Sequence, residues 1–175
     1  MLVPEGAECV FKGEIFDTYQ WPQERFDGSI ATYEMLKRPD NVRVLAVNKE
    51  GEVLVCDERQ PGGIVRKNRF PAGRADPTDA SPLAAAQREL AEETGWRFRD
   101  WKLLEVIQPE PKIEYFMYLF SAQTPIEQGE QMLDAGEQIT TRWVRYEKLA
   151  VSELSKQFTC LDGKPSLKDL LAKAV

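Results

Sequence analysis

The stretch QRELAEETGW, residues 87–96, sets Glu89, Glu92 and Glu93 close together just before a glycine. Upstream, Ser81-Pro82 has the form of an N-cap followed by proline at the first helical position, where its missing N–H is harmless. Leu83, Ala84, Ala86, Leu90 and Ala91 recur at roughly helical spacing and define one apolar stripe. Gly95 stands where a left-handed C-terminal cap is expected. These signals predict a helix over Pro82–Thr94. At about 100° per residue, the three glutamates share one face opposite the stripe, as mutual i,i+3 and i,i+4 neighbours. Like charges so spaced repel by about 0.2–0.5 kcal/mol per pair. Glutamates in a last turn also meet the negative end of the helix dipole, and Arg88 answers one charge at most. One reading is an ordinary solvated face. The other is a bound divalent cation, because hard carboxylate oxygens suit Mg²⁺ or Mn²⁺ and would lose their repulsion around one.

The elements that must position this helix are mostly strands. Cys9–Tyr19 and Arg25–Leu36 carry aromatic and β-branched residues and are expected to be joined across Trp21-Pro22. Asn41–Val47 and Glu52–Asp57 alternate around Lys49-Glu50-Gly51, the pattern of a hairpin. Trp101–Ile107, Ile113–Ser121 and Ile139–Tyr146 are further strand candidates, and polar Gln123–Glu137 with its two glycines is expected to be a loop. Glu147–Lys156 and Ser166–Ala174 have helical patterns. Neither internal repeats nor low-complexity tracts occur. The pattern is that of a mixed α/β domain with a β-rich beginning.

Composition narrows the chemistry. With 175 residues, 42% hydrophobic and 30% charged, the chain has the length and make-up of one soluble globular domain. It contains no histidine, which excludes Ser-His and Cys-His nucleophilic mechanisms and histidine metal sites. Acid–base work then falls to carboxylates, Lys, Tyr or water. Cys9, Cys56 and Cys160 are odd in number and far apart, suggesting neither a disulfide framework nor a zinc site. A net charge of −6 argues against nucleic acid as a partner. No apolar run of membrane-spanning length and no signal-peptide pattern at Met1–Val10 is present, so no membrane partner and a cytoplasmic location are expected.

Gly73-Arg-Ala-Asp-Pro-Thr-Asp79 followed by Arg88-Glu89-Leu90-Ala91-Glu92-Glu93-Thr94-Gly95-Trp96 resembles the Nudix box. That signature reads G, five residues, E, seven residues, then R-E-U-x-E-E-x-G-U, with U a bulky apolar residue. The second half matches throughout. The first half departs twice: Asp79 replaces the usual Glu, and eight residues rather than seven separate it from Arg88. The extra residue falls in the loop before Pro82, where an insertion costs little.

Weaker stretches resemble the ADP-ribose pyrophosphatase-like branch of Nudix hydrolases. Phe26-Asp27-Gly28 with Tyr33–Val42 resembles its entry into the core sheet, Phe70-Pro71-Ala72-Gly73 its approach to the box, and Gly136-Glu137-Gln138-Ile139 its late catalytic loop. Arg69 stands where many relatives have Glu before Pro-Ala-Gly, and Pro109-Glu110 where they have Pro-Gly. The resemblance implies an α/β/α sandwich with a mixed sheet over residues 41–175, preceded by a β-rich segment over residues 1–40. It implies Mg²⁺, or Mn²⁺, held by Glu89, Glu92, Glu93 and the Ala72 carbonyl, and water attack on the diphosphate of a small-molecule nucleoside diphosphate substrate, ADP-ribose or a nucleotide sugar foremost. Glu92 and Arg88 would belong to the catalytic set, Arg88 by orienting a glutamate. Glu137 is the candidate base, with Asp134 its nearby substitute, and Arg59 the candidate phosphate contact. Tyr19, Trp21, Phe26 and Tyr33 are candidates for stacking on a base, although aromatics in strands more often serve a core or an interface. The branch commonly forms homodimers. Dinucleotides or nucleoside triphosphates as substrates, or a binding module without turnover, are the alternatives.

Overall fold

The computed structural model describes residues 2–145 and residue 148. The helices expected over Glu147–Lys156 and Ser166–Ala174 therefore fall outside the described residues, apart from the exposed Lys148. In chain order the elements are β1 (Glu8–Lys12), β2 (Asp17–Glu24), β3 (Ile30–Lys37), β4 (Asn41–Ala46), β5 (Glu52–Gln60), β6 (Ile64–Arg69), β7 (Ala72–Arg74), α1 (Pro82–Thr94), β8 (Trp96–Ile107), β9 (Ile113–Glu114), β10 (Met117–Gln128) and β11 (Gln138–Arg145). They form three sheets with strand orders β1-β2-β3-β9, β7-β4-β10-β8 and β11-β5-β6.

The second sheet is mixed: β10 runs parallel to β4 and antiparallel to β8. Alternation along β4 sends Val42, Val44 and Ala46 to a core shared with Ala85, Ala86 and Leu90 of α1 and with Leu54, Phe98 and Phe120. The intervening Leu45 joins Val53, Val55, Phe70 and Leu119 in a second cluster on the other face. Only the second half of β4, residues 44–46, is buried on both faces and reads as a continuous apolar run; in its first half Asn41 and Arg43 alternate with Val42 and Val44 and turn toward the cleft.

The N-terminal sheet departs from expectation in two places. The strand expected over Cys9–Tyr19 breaks at Gly13, whose N–H donates to Asp17 Oδ1 at 3.3 Å. Trp21-Pro22 lies inside β2 and makes no turn: Pro22 pairs with Thr32 of β3. Pairing with β1 ends at Gln20, so proline occupies a stretch with one open edge, where its missing donor is tolerated. The reversal comes later, with Arg25 N–H donating to the Ser29 carbonyl at 2.8 Å and Gly28 at φ 80°.

The hairpin expected around Lys49-Glu50-Gly51 is a turn only. Asn48 N–H donates to the Glu52 carbonyl at 3.0 Å, and Val47 bridges Val53. Beyond that bridge β4 and β5 part into different sheets. Turn chemistry fixes a reversal, whereas the partner of an apolar strand is set by long-range packing. Likewise β10 continues to Gln128 along β8, into the stretch expected to be loop.

Candidate active site

Helix α1 begins and ends as its sequence requires. The Ser81 side chain, on extended backbone, accepts from Ala84 N–H at 3.1 Å, and Pro82 opens the first turn. Gly95 adopts φ 73° and its N–H donates to the Ala91 carbonyl at 2.8 Å. The next carbonyls, which no helix can satisfy, are taken by the loop between β10 and β11: Met132 N–H donates to Glu92 O at 2.9 Å, and the Gln131 side chain to Glu93 O. Capping the helix thus draws the loop that carries Asp134 and Glu137 against the glutamate end of α1.

The helix and this loop line a cleft of about 1140 Å³ together with β4, β5, β6 and β7. Glu89, Glu92, Glu93, Ala72, Asp134 and Glu137 all face it. Gly73 lets the helix come close, since a Cβ there would run into the Glu89 carboxyl group. Arg38, Arg43, Arg66, Lys67, Arg69 and Arg74 supply the opposite charge.

Glu93 is only 4% exposed, so it does not belong to a solvated face. It lies three residues beyond Leu90 and seven beyond Ala86, on the same buried stripe. Burial pushes its carboxyl up to about 8, with the Arg69 guanidinium and the Ala72 N–H, at 3.1 Å, pulling the other way. Glu89 is also raised by burial, against the pull of Arg88.

Arg88 answers more charge than one. It makes a two-pronged bond to Asp79, Nε to Oδ1 at 3.1 Å and Nη2 to Oδ2 at 2.8 Å. Its Nη1 donates to Glu89 at 3.0 Å and Glu92 at 2.9 Å. Asp79, held below the ordinary carboxylate range by Arg88, therefore orients the arginine that orients two glutamates. The shorter side chain and longer loop still reach this partner.

Arg69 does the same on the inner side. Nη1 donates to Glu58 at 2.9 Å, and Nη2 to the Ala72 carbonyl at 2.9 Å and to the Glu93 carboxylate. The repulsion legible in the sequence is thus met by two guanidinium groups. Glu58 is 1% exposed and also receives Gln60 and Arg66.

Arg59 is exposed and does not line the cleft. Its neighbours Glu58 and Gln60 do. Leu54 faces the helix-side core, and a two-residue period carries that face to Cys56, Glu58 and Gln60. Once the structure fixes the face of Leu54, that count puts Glu58 and not Arg59 in the cleft; the apolar run Val53-Leu54-Val55 leaves the face open in the sequence. Arg43, Arg66 and Tyr115 were missed because their strands or loops join the site only through tertiary pairing. Tyr19, Trp21, Phe26 and Tyr33 do not line the cleft either; Trp21 and Tyr33 pack as a tilted cross-strand pair with ring centroids 6.2 Å apart. Cys56 is buried and its thiol raised by burial, which leaves no ready thiolate.

Glu137 sits among acids. Burial first, then Glu58 and Asp134, raise its carboxyl above the ordinary range, a shift toward the working range of a general base. Asp134 is exposed, and its carbonyl accepts the Glu137 N–H at 2.9 Å.

The oxygen-only donor set of Glu89, Glu92, Glu93 and the Ala72 carbonyl has the chemistry of a hard divalent cation site. Among the described residues no three carboxylates stand ready in a metal-holding cluster. Arginine side chains hold them instead, and side-chain rotation would be needed to gather them.

The chain resembles proteins of one family. The NUDIX domain family model matches residues 37–161. The ADP-ribose pyrophosphatase of Bacillus subtilis (strain 168) is 36% identical over 94 residues, 52% of this chain. The chain spans about half the length of that relative, 49%. A solved structure titled ADP compounds hydrolase superposes with a TM-score of 0.68 at 20% identity, covering 97% of this chain and 90% of the other. That likeness concerns fold. Because the family model covers most of the chain and reaches across the cleft's helix, strands and capping loop, the protein belongs to the NUDIX domain family.

Proposed function

We propose that this protein is a divalent-metal-dependent hydrolase of the diphosphate bond in nucleoside diphosphate derivatives, with ADP-ribose the first candidate. The observation that carries the reading is the single cleft in which Glu89, Glu92, Glu93 and Glu137 face a basic wall containing Arg43, Arg66 and Arg74. The 36%-identical relative is named an ADP-ribose pyrophosphatase, which supports the substrate class.

Mg²⁺ or Mn²⁺, when bound, neutralises diphosphate oxygens and lowers the pKa of a water. Its ligands are drawn from Glu89, Glu92, Glu93 and the Ala72 carbonyl. Arg88 orients Glu89 and Glu92, and arginines of the basic wall fix the phosphates. Glu137 takes the proton of the attacking water, a role its raised pKa and its place beside the helix end both suit. Assembly as a homodimer belongs to the same proposal: among the described residues β1 is the open edge of its sheet and all five of its residues are exposed, and an unpaired strand edge is a template for pairing with a second copy. Sedimentation as a monomer at micromolar concentration would remove the dimer without touching the chemistry.

The test is a panel of ADP-ribose, nucleotide sugars, dinucleotides and nucleoside triphosphates, scored by phosphate released after phosphatase treatment. ADP-ribose or a nucleotide sugar should be turned over with Mg²⁺ or Mn²⁺ and not in excess chelator. Undiminished turnover in chelator would overturn the proposal.

A further inference from the structure

Two of the oxygen donors assigned to the divalent cation are already taken. Arg69 Nη2 donates to the Ala72 carbonyl at 2.9 Å and to the Glu93 carboxylate. The same guanidinium is tethered through Nη1 to Glu58 at 2.9 Å. Glu58 and Glu93 are both buried, and Glu137 lies near each of them. Three carboxylates in such a setting need a counter-charge whether or not a metal is present.

We propose that Arg69 is a cation built into the carboxylate cleft, competing with a divalent ion for Glu93 and the Ala72 carbonyl. Glu89 and Glu92 each accept from Arg88 through one oxygen and have the other for a first contact with the ion, whereas both Glu93 oxygens accept hydrogen bonds. Loading Glu93 and Ala72 requires the Arg69 fork to leave them. Two features make that exchange feasible. Glu58 keeps hold of the other prong, so the arginine pivots and is not released into water. Arg69 Nε is buried and has no hydrogen-bond acceptor among the described residues, so the guanidinium is not fully satisfied where it sits, and an incoming phosphate oxygen would supply the missing acceptor.

The consequence is that this chain holds its divalent ion more weakly than its oxygen donors alone would allow. It also answers part of the cleft's negative charge when metal is scarce. The proposal rests on the hydrolase reading only in taking these oxygens as divalent-ion ligands.

The experiment is Mn²⁺ binding to the metal-free 175-residue chain, followed by electron paramagnetic resonance of the free ion, at one pH for the parent and every variant. Arg69→Gln keeps a polar side chain and removes the charge; it should bind Mn²⁺ at least about tenfold more tightly than the parent. Arg69→Lys keeps the charge but not the planar fork and should fall between the two. Equal or weaker binding by Arg69→Gln, with the parent binding normally, overturns the competition and leaves the hydrolase reading standing. No Mn²⁺ binding by any of the three overturns both. Should Arg69→Gln fail to fold, the parent itself decides. The Arg69 side-chain nitrogen resonances, assigned by their loss in Arg69→Lys, should shift and lose exchange protection as diamagnetic Mg²⁺ saturates the site. Resonances unmoved at saturation would overturn the proposal.

Discussion

Glu137 shows how much a single residue's place depends on its neighbours. Nothing local to it marks a base; its shift upward comes from burial and from Glu58 and Asp134 around it. Glu137→Gln should therefore lower kcat by at least about 10²-fold, the scale of losing a proton acceptor, with KM within a few-fold, the pattern of an interaction made in the transition state. Asp134→Asn, altering an exposed residue of the same loop, should keep kcat within a few-fold. The reverse outcome would transfer the role to Asp134. The box glutamates were legible because seven specified positions within nine contiguous residues mark them. Glu58 and Arg59 were harder to tell apart, since adjacent strand residues face opposite ways and one register step exchanges them. Arg69 was legible as a departure but not as an ion pair, because Glu93 meets it only once α1 packs beside the end of β6.

At the scale of elements, α1 was readable from end to end. Its cap, first-turn proline and terminal glycine are local chemistry, and the observed span Pro82–Thr94 coincides with the expected one. Gly95 serves twice, by its left-handed φ and by its closeness to the Gly129 carbonyl, which a Cβ would strike. Gly95→Ala should cost more than about 1–2 kcal/mol, the penalty for a Cβ in that conformation alone, while Ser81→Ala should cost about 1 kcal/mol. Denaturant titration gives both values; a Gly95→Ala loss no larger than the Ser81→Ala loss would mean that the capping loop does not press on the helix end. Because the Gly129–Glu137 loop is seated on the last turn, Gly95→Ala should also impair turnover. Strand pairing was less legible. Asn48-Lys49-Glu50-Gly51 announces a reversal, yet β4 takes β10 and β7 as partners and β5 takes β6 and β11. Those choices rest on contacts between residues far apart in sequence, for which a local pattern holds no record.

For the whole molecule, the buried acids couple stability to pH. In the native state Glu89, Glu93 and Glu137 all have raised carboxyls, Glu93 up to about 8 from an ordinary 4.5. Between those two values the native chain holds protons that the unfolded chain has released, so unfolding free energy falls as pH rises. The contribution is whole below the ordinary carboxylate range and is lost by the time pH passes about 8. The metal-free protein should accordingly melt at progressively lower temperature over that window, and Glu93→Gln should flatten the decline; a flat profile in the parent would deny that Glu93 is raised. Composition and the box together had pointed to a mixed α/β fold, and the described sheets with their one long helix agree with that outline. The central claim concerns which bond is cut, and product analysis in heavy-oxygen water tests it most directly. With Mg²⁺ or Mn²⁺ present, ADP-ribose should give AMP and ribose 5-phosphate, with one heavy oxygen on a phosphoryl group of one product. ADP and free ribose carrying the label on the sugar, or no product at all with either metal, would contradict the account.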